Sequence, residues 1–276
     1  MLKKLLKYDF NAIFKYWWIG ALTTFILSFV GAGCGSILET ERDLPESVSI
    51  FATIGLVLIV LSFFAFIIMN ALLVYIRFYK HLFSDEGYLT FTLPVKRNQI
   101  LASKLLSGSV ATFLTAIVSA INAAIIILIT FKSEIFVKGW FEILKKYVNE
   151  LFEKQGTFNV ISAFIEIAII AVLSIILTTL FTYLCITIGA IISKRAKLAS
   201  AIAIYYGTSS VMTVFMYIFY FFGIRGLENW LSDLTDKQAF GLSPVILLLV
   251  VFVLLMLCFV VYTLINWLID RKLNLN

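Results

Sequence analysis

An all-α integral membrane protein with six transmembrane helices is predicted by three features of this 276-residue chain. Apolar residues make up 62% of it, and its mean hydropathy of +1.02 lies far outside the soluble range. Six segments carry the roughly 20 mainly apolar residues that a bilayer crossing needs. They are Trp17–Leu38, Ser49–Ile76, Leu105–Phe131, Phe158–Ser193, Leu198–Phe222 and Pro244–Leu268. The charges between them alternate in sign. With both termini in the cytoplasm, the inner segments hold 14 of the 22 Lys and Arg residues but only the acids Asp9, Asp85, Glu86 and Asp270. The outer segments are net acidic, which is the positive-inside pattern. The formal charge of +6 therefore reports orientation, not nucleic-acid binding. Little remains for a soluble domain, so residues 1–276 read as one membrane domain.

Met1–Trp18 is amphipathic. Leu2, Leu6, Phe10, Ile13 and Trp17 share one helical face, while Lys3, Lys4, Lys7, Asn11 and Lys15 lie elsewhere. The spacing predicts a helix over 1–16 in the inner interface, with its lysines near anionic headgroups. A cleaved signal is the competing reading. The residue three before Cys34 is Gly instead of aliphatic, and the apolar run is long, so cleavage is rejected. Gly31-Ala32-Gly33-Cys34-Gly35 follows no strand and is no phosphate loop; small residues there let helices approach closely. Cys34, Cys185 and Cys258 have no metal or redox spacing and read as apolar packing residues.

Span 2 carries Asn70 and span 3 carries Asn122. A lone amide in an apolar helix predicts an interhelical hydrogen bond, with lining of a translocation pathway as the alternative. Between these spans, residues 77–104 combine Arg77, Lys80, Lys96, Arg97 and Lys104 with the acidic pair Asp85-Glu86, Gly87 and Pro94. Gly87 is expected to end the first helical run in a left-handed conformation, and Pro94 suits the first turn of the next helix. The carboxylates then sit at the tip of a cytoplasmic element shaped to dock a soluble partner.

Residues 132–157 predict an outer amphipathic helix, too charged to span. Phe136, Trp140, Leu144, Tyr147/Val148 and Leu151 recur at helical spacing, opposite Lys138, Glu142, Lys145, Lys146, Glu150 and Lys154. It rests on the bundle or leaflet, or serves as a lid over an exit. Phe158–Ser193 is long for one span and is expected to start outside the membrane, tilt or break. Its Glu166 is either a pathway group or solvated at headgroup level. Span 5 ends in an aromatic cluster suited to the outer interface, and Gly226–Gly241 is expected to form a short external helix.

No G-x-x-x-x-G-K-[ST] occurs, so the chain holds no P-loop. The single histidine, His81, is expected in the cytoplasmic loop, and no span offers a base for a serine nucleophile. Catalysis by the chain is not expected.

The run Asp85-Glu86-Gly87-Tyr88-Leu89-Thr90-Phe91-Thr92-Leu93-Pro94-Val95, with Arg97, Gln99-Ile100-Leu101 and Lys104-Leu105, resembles the loop between the second and third spans of ABC-2-type transporter permeases. Span number and order agree with that family; no other sharp motif does. The resemblance implies that 1–16 is an elbow helix and that 77–104 holds a coupling helix. Phe83, Ser84, Asp85, Glu86, Gly87, Tyr88 and Leu89 would then contact a separate cytoplasmic ATPase. That ATPase, in two copies, would hold ATP and Mg, and this chain would bind no cofactor. A second permease copy, identical or paralogous, and membrane lipids complete the implied partners. The implied activity is export across a bacterial cytoplasmic membrane, with amphipathic peptides or lipid-like compounds suited to a Phe-rich, charge-poor cavity. A secondary transporter or channel without an ATPase is the alternative; it would need a mid-membrane ion site, for which Glu166 is the candidate.

Overall fold

The computed structural model describes residues 2–40, 45–84, 87, 95, 97–130, 134–192, 197–219, 221 and 236–272. Seven helices lie among them: α1 (Leu2–Thr40), α2 (Glu46–Phe83), α3 (Arg97–Thr130), α4 (Glu134–Gln155), α5 (Thr157–Ile192), α6 (Lys197–Phe219) and α7 (Asp236–Lys272). There is no strand among the described residues. All except α4 contain a stretch long and apolar enough to cross a membrane. The chain is thus a multi-pass helical membrane protein, and α4 fails the test because its charges recur every turn.

The span helices run longer than their apolar cores. At 1.5 Å per residue, the 39 residues of α1 reach about 58 Å, against a hydrocarbon thickness of roughly 30 Å. No break separates residues 2–16 from the first span, so a distinct interfacial helix is not seen. The apolar stripe of those first turns is satisfied by protein instead: Ile13 and Trp17 are buried. Likewise α5 is one unbroken helix of 36 residues, and the break considered for it is absent.

The chain divides into two units. The first comprises Met1–Phe78 and Ala102–Tyr147. Its core is set by small residues at helical period. On α1 the buried positions are Asp9, Ile13, Trp17, Gly20, Ala21, Thr24, Ser28, Gly31, Ala32 and Gly35. On α3 they include Ser103, Lys104, Ser107, Gly108, Ala111, Thr115 and Asn122. Small side chains let backbones close up where lipid supplies no hydrophobic drive. A Cβ at Gly31 would collide with Ile59 of α2, and one at Gly35 with Thr130 of α3.

The second unit comprises Tyr79–Leu101 and Val148–Asn276. Here α5 packs against both α6 and α7. Gly156, between α4 and α5, has φ +79°, and its N–H donates to the Phe152 carbonyl at 3.1 Å. That is a glycine-dependent helix end.

Gly87 behaves otherwise than expected: its φ is not positive. The α2 helix stops at Phe83, and the Gly87 N–H donates to the Ser84 carbonyl at 2.8 Å. Glycine is needed there for space, since a Cβ would lie 2.8 Å from the Leu82 carbonyl oxygen. His81 belongs to the last turn of α2, half-buried, not to a loop. Residues 222–235, including most of the expected external helix at Gly226–Gly241, lie outside the described residues, and 236–241 open α7.

Candidate functional site

The densest polar chemistry among the described residues lies where α1, α2 and α3 meet in the first unit. Asp9, in the second turn of α1, is 3% exposed. Its Oδ1 accepts from Arg77 Nε of α2 at 3.2 Å and from Lys104 Nζ of α3. Its Oδ2 accepts from Ser103 Oγ at 2.7 Å. One carboxylate thus gathers two cations and a hydroxyl from two other helices. Asp9 follows the buried spacing of α1 rather than its lysine face, and Lys104 falls in the small-residue stripe of α3. The Lys104 and Asp9 side chains are nearly sealed, whereas that of Arg77 is 25% exposed.

Three further hydrogen bonds tie the same helices at successive levels. Trp17 Nε1 donates to Thr115 Oγ1 at 2.7 Å, Asn70 Nδ2 to Thr112 Oγ1 at 3.3 Å, and Asn122 Nδ2 to Thr24 Oγ1 at 3.4 Å. In each, the threonine donates its own proton to a carbonyl of its own helix and accepts across the interface. Asn70 and Asn122, both pathway candidates, are therefore closed between helices and make the interhelical bonds expected of lone amides. Their Oδ1 atoms meet no donor among the described residues.

Glu166, the third pathway candidate, lies on α5 in the second unit. It shares a helical face with Leu173, Leu180 and Thr187, at seven-residue intervals, all three of them buried. Its Oε2 is buried and has no hydrogen-bond partner among the described residues. The face is the packed one, so Glu166 does not project straight into lipid.

At the expected docking element, Phe83 is buried and Ser84 is half-buried, its Oγ donating to the Lys80 carbonyl. Asp85, Glu86, Tyr88, Leu89 and Pro94 lie outside the described residues. Beyond the loop, Arg97 Nη1 donates to Asp270 Oδ1 of α7 at 2.8 Å, and Tyr262 Oη donates to the Asn98 carbonyl at 3.1 Å. The end of α7 is thereby joined to the start of α3, a pairing across 173 residues.

The amphipathic helix expected between spans 3 and 4 is present as α4, with Glu142, Lys145 and Lys146 exposed. Tyr147 is also exposed, so Val148, half-buried, is the better fit to the apolar stripe. The side chains of the lid candidates Phe136, Trp140, Leu144 and Leu151 lie outside the described ones. No group of three or more His, Cys, Asp or Glu among the described residues could hold a metal. No protein-family model, curated protein or solved structure matches the chain.

Proposed function

We propose that this chain is the permease subunit of an ATP-driven exporter of the ABC-2 type, acting with a separate cytoplasmic ATPase to move an amphipathic peptide or lipid-like compound out of a bacterial cell. One observation carries the reading beyond composition. The helices that flank the 84–96 loop, α2 and α3, are each fastened to the same buried carboxylate through Arg77 and Lys104. A push on the loop would then be passed to α1 as well as to α2 and α3, as a docking element driven by a motor requires. ATP binding by the partner would close two ATPases, displace the loops of two permease copies and switch access between leaflets.

The test is co-expression with candidate ATPases and measurement of ATP hydrolysis by the purified complex in lipid. We expect co-elution, and we expect the double reversal Asp85→Lys with Glu86→Lys to lower hydrolysis coupled to transport by at least about tenfold, a loss of roughly 1.4 kcal/mol of coupling. Full coupling in that variant would remove the two carboxylates from the contact, and failure of every ATPase to bind would overturn the reading itself.

One observation favours a second reading, an ion- or proton-coupled transporter: the Glu166 Oε2 buried without a hydrogen-bond partner among the described residues. Under that reading Glu166→Gln abolishes ion-gradient-driven uptake or efflux in vesicles. Under the exporter reading the same variant still transports when ATP and the ATPase are supplied.

A further inference from the structure

We propose that Tyr262 and Asp270 of α7 are positioning residues that hold the start of α3, so that movement of the 84–96 loop is passed to α7 as well as to α1. The inference rests on the exporter reading, which supplies the movement. The division between the two units falls inside both helices that flank the loop, between Phe78 and Tyr79 in α2 and between Leu101 and Ala102 in α3. The helix ends next to the loop thus group with α5, α6 and α7, whereas Asp9, Arg77, Ser103 and Lys104 all lie in the first unit. Two bonds tie the start of α3 to α7. Asp270 Oδ1 accepts from Arg97 Nη1 at 2.8 Å, and Tyr262 Oη donates to the carbonyl of the adjacent Asn98 at 3.1 Å. Tyr262 and Asp270 are two turns apart on one side of α7, about 12 Å along its axis. Ile265 and Ile269, on the same side between them, are buried.

The two bonds differ in what they sense. Arg97 and Asp270 are about half exposed, and a pair of that kind adds little stability and weakens in salt. The phenol bonds a backbone atom, so it follows the position of the helix itself instead of a mobile side chain, and it is directional. Because α3 is unbroken from Arg97 to Thr130, Asn98 and Ser103 sit about 7.5 Å apart on one rigid rod. The first is bonded to α7 and the second to Asp9 of α1. A displacement of the loop that moves this rod therefore acts on both. From α7 it has a route onward, since α7 packs along α5 and Cys258, one turn from Tyr262, lies against the Leu173 carbonyl.

The test uses the full chain with Cys34, Cys185 and Cys258 replaced by alanine, in lipid with the ATPase that co-elutes. An environment-sensitive fluorophore is attached at Asn11→Cys of α1 or at Met256→Cys of α7, both exposed positions, and its response to Mg and ATP is recorded. We expect both reporters to respond while Tyr262 and Asp270 are intact. Tyr262→Phe with Asp270→Asn should cut the response at Met256→Cys by at least about fivefold and leave that at Asn11→Cys in place. A purely structural loss would lower both. Retention of both responses in that variant overturns the proposal, as does a silent Met256→Cys beside a responding Asn11→Cys when Tyr262 and Asp270 are intact; either result leaves the exporter reading standing. Silence of both reporters with the two residues intact overturns the exporter reading, and the inference with it. If the double variant does not fold, charge exchange supplies the decision. Asp270→Arg alone should lose the response at Met256→Cys, and adding Arg97→Asp should restore it. Failure to restore it overturns the proposal.

Discussion

At the scale of single residues, Asp9 is the side chain on which most depends. Asp9→Asn would take from Arg77 and Lys104 the carboxylate that they share, and breaking a buried pair in this way costs about 3–5 kcal/mol. Lys104→Met is a different loss. It leaves Asp9 paired with Arg77 and Ser103, so the expected cost is lower, about 1–3 kcal/mol. Unfolding of the two variants side by side in the same detergent checks the order; a Lys104→Met protein less stable than Asp9→Asn would refute the charge argument. Arg97–Asp270 offers the contrast. Both partners are about half exposed, and such a pair is worth roughly 0–1 kcal/mol, so its removal should hardly change stability.

At the scale of elements, helix contact in this protein depends on absent side chains. The α5–α6 pair makes the point. Ser200 Oγ donates to the Gly189 carbonyl at 2.8 Å, and a Cβ at Gly189 would lie 2.6 Å from both Cα and N of Ala201. Those atoms are backbone and cannot turn aside, so Gly189→Ala must separate the two helices. The expected loss is about 1–3 kcal/mol. Gly207, on the same α6, has nothing within 4 Å of a would-be Cβ. Gly207→Ala should therefore be neutral or stabilising by up to about 1 kcal/mol, the ordinary helix-propensity gain. Thermal unfolding of both variants measures the difference, and equal effects would show that the close approach is not what Gly189 provides. The sulfur groups follow the same packing logic: Cys185 lies against Thr208 and Cys258 against the Leu173 carbonyl, each at 3.9 Å.

At the scale of the whole molecule, the charge pattern sets a topology that labelling can read. Cysteines substituted for Lys4 and Lys7 are expected to react with an impermeant maleimide only from the cytoplasmic face. Cysteines at Glu142 and Lys146, on the exposed side of α4, are expected to react only from the opposite face. Both sets reacting from one face would undo the span count between them, and with it the assignment of the 84–96 loop to the cytoplasm.

The number of spans and the nature of α4 were determined by the sequence alone, because run length, apolarity and charge density are local and each segment carries its own. Close helix approach was legible at Gly31–Gly35 from the small residues there; the longer stripes, Gly20, Thr24 and Ser28 on α1 and Ser103, Ser107, Ala111 and Thr115 on α3, emerged as packing faces only in the structure. The continuity of α1 was less so, since an amphipathic pattern serves a helix in the interface and a helix against its neighbours equally well. What only the tertiary structure decided was the role of Asp9, Arg77 and Lys104. Each reads singly as a charge that orients a span end. Their partnership joins positions 68 and 95 residues apart, and no local signal encodes a contact at that range. Burial of a charge depends on which helices close around it, and that follows from three stripes packing together, not from any one of them.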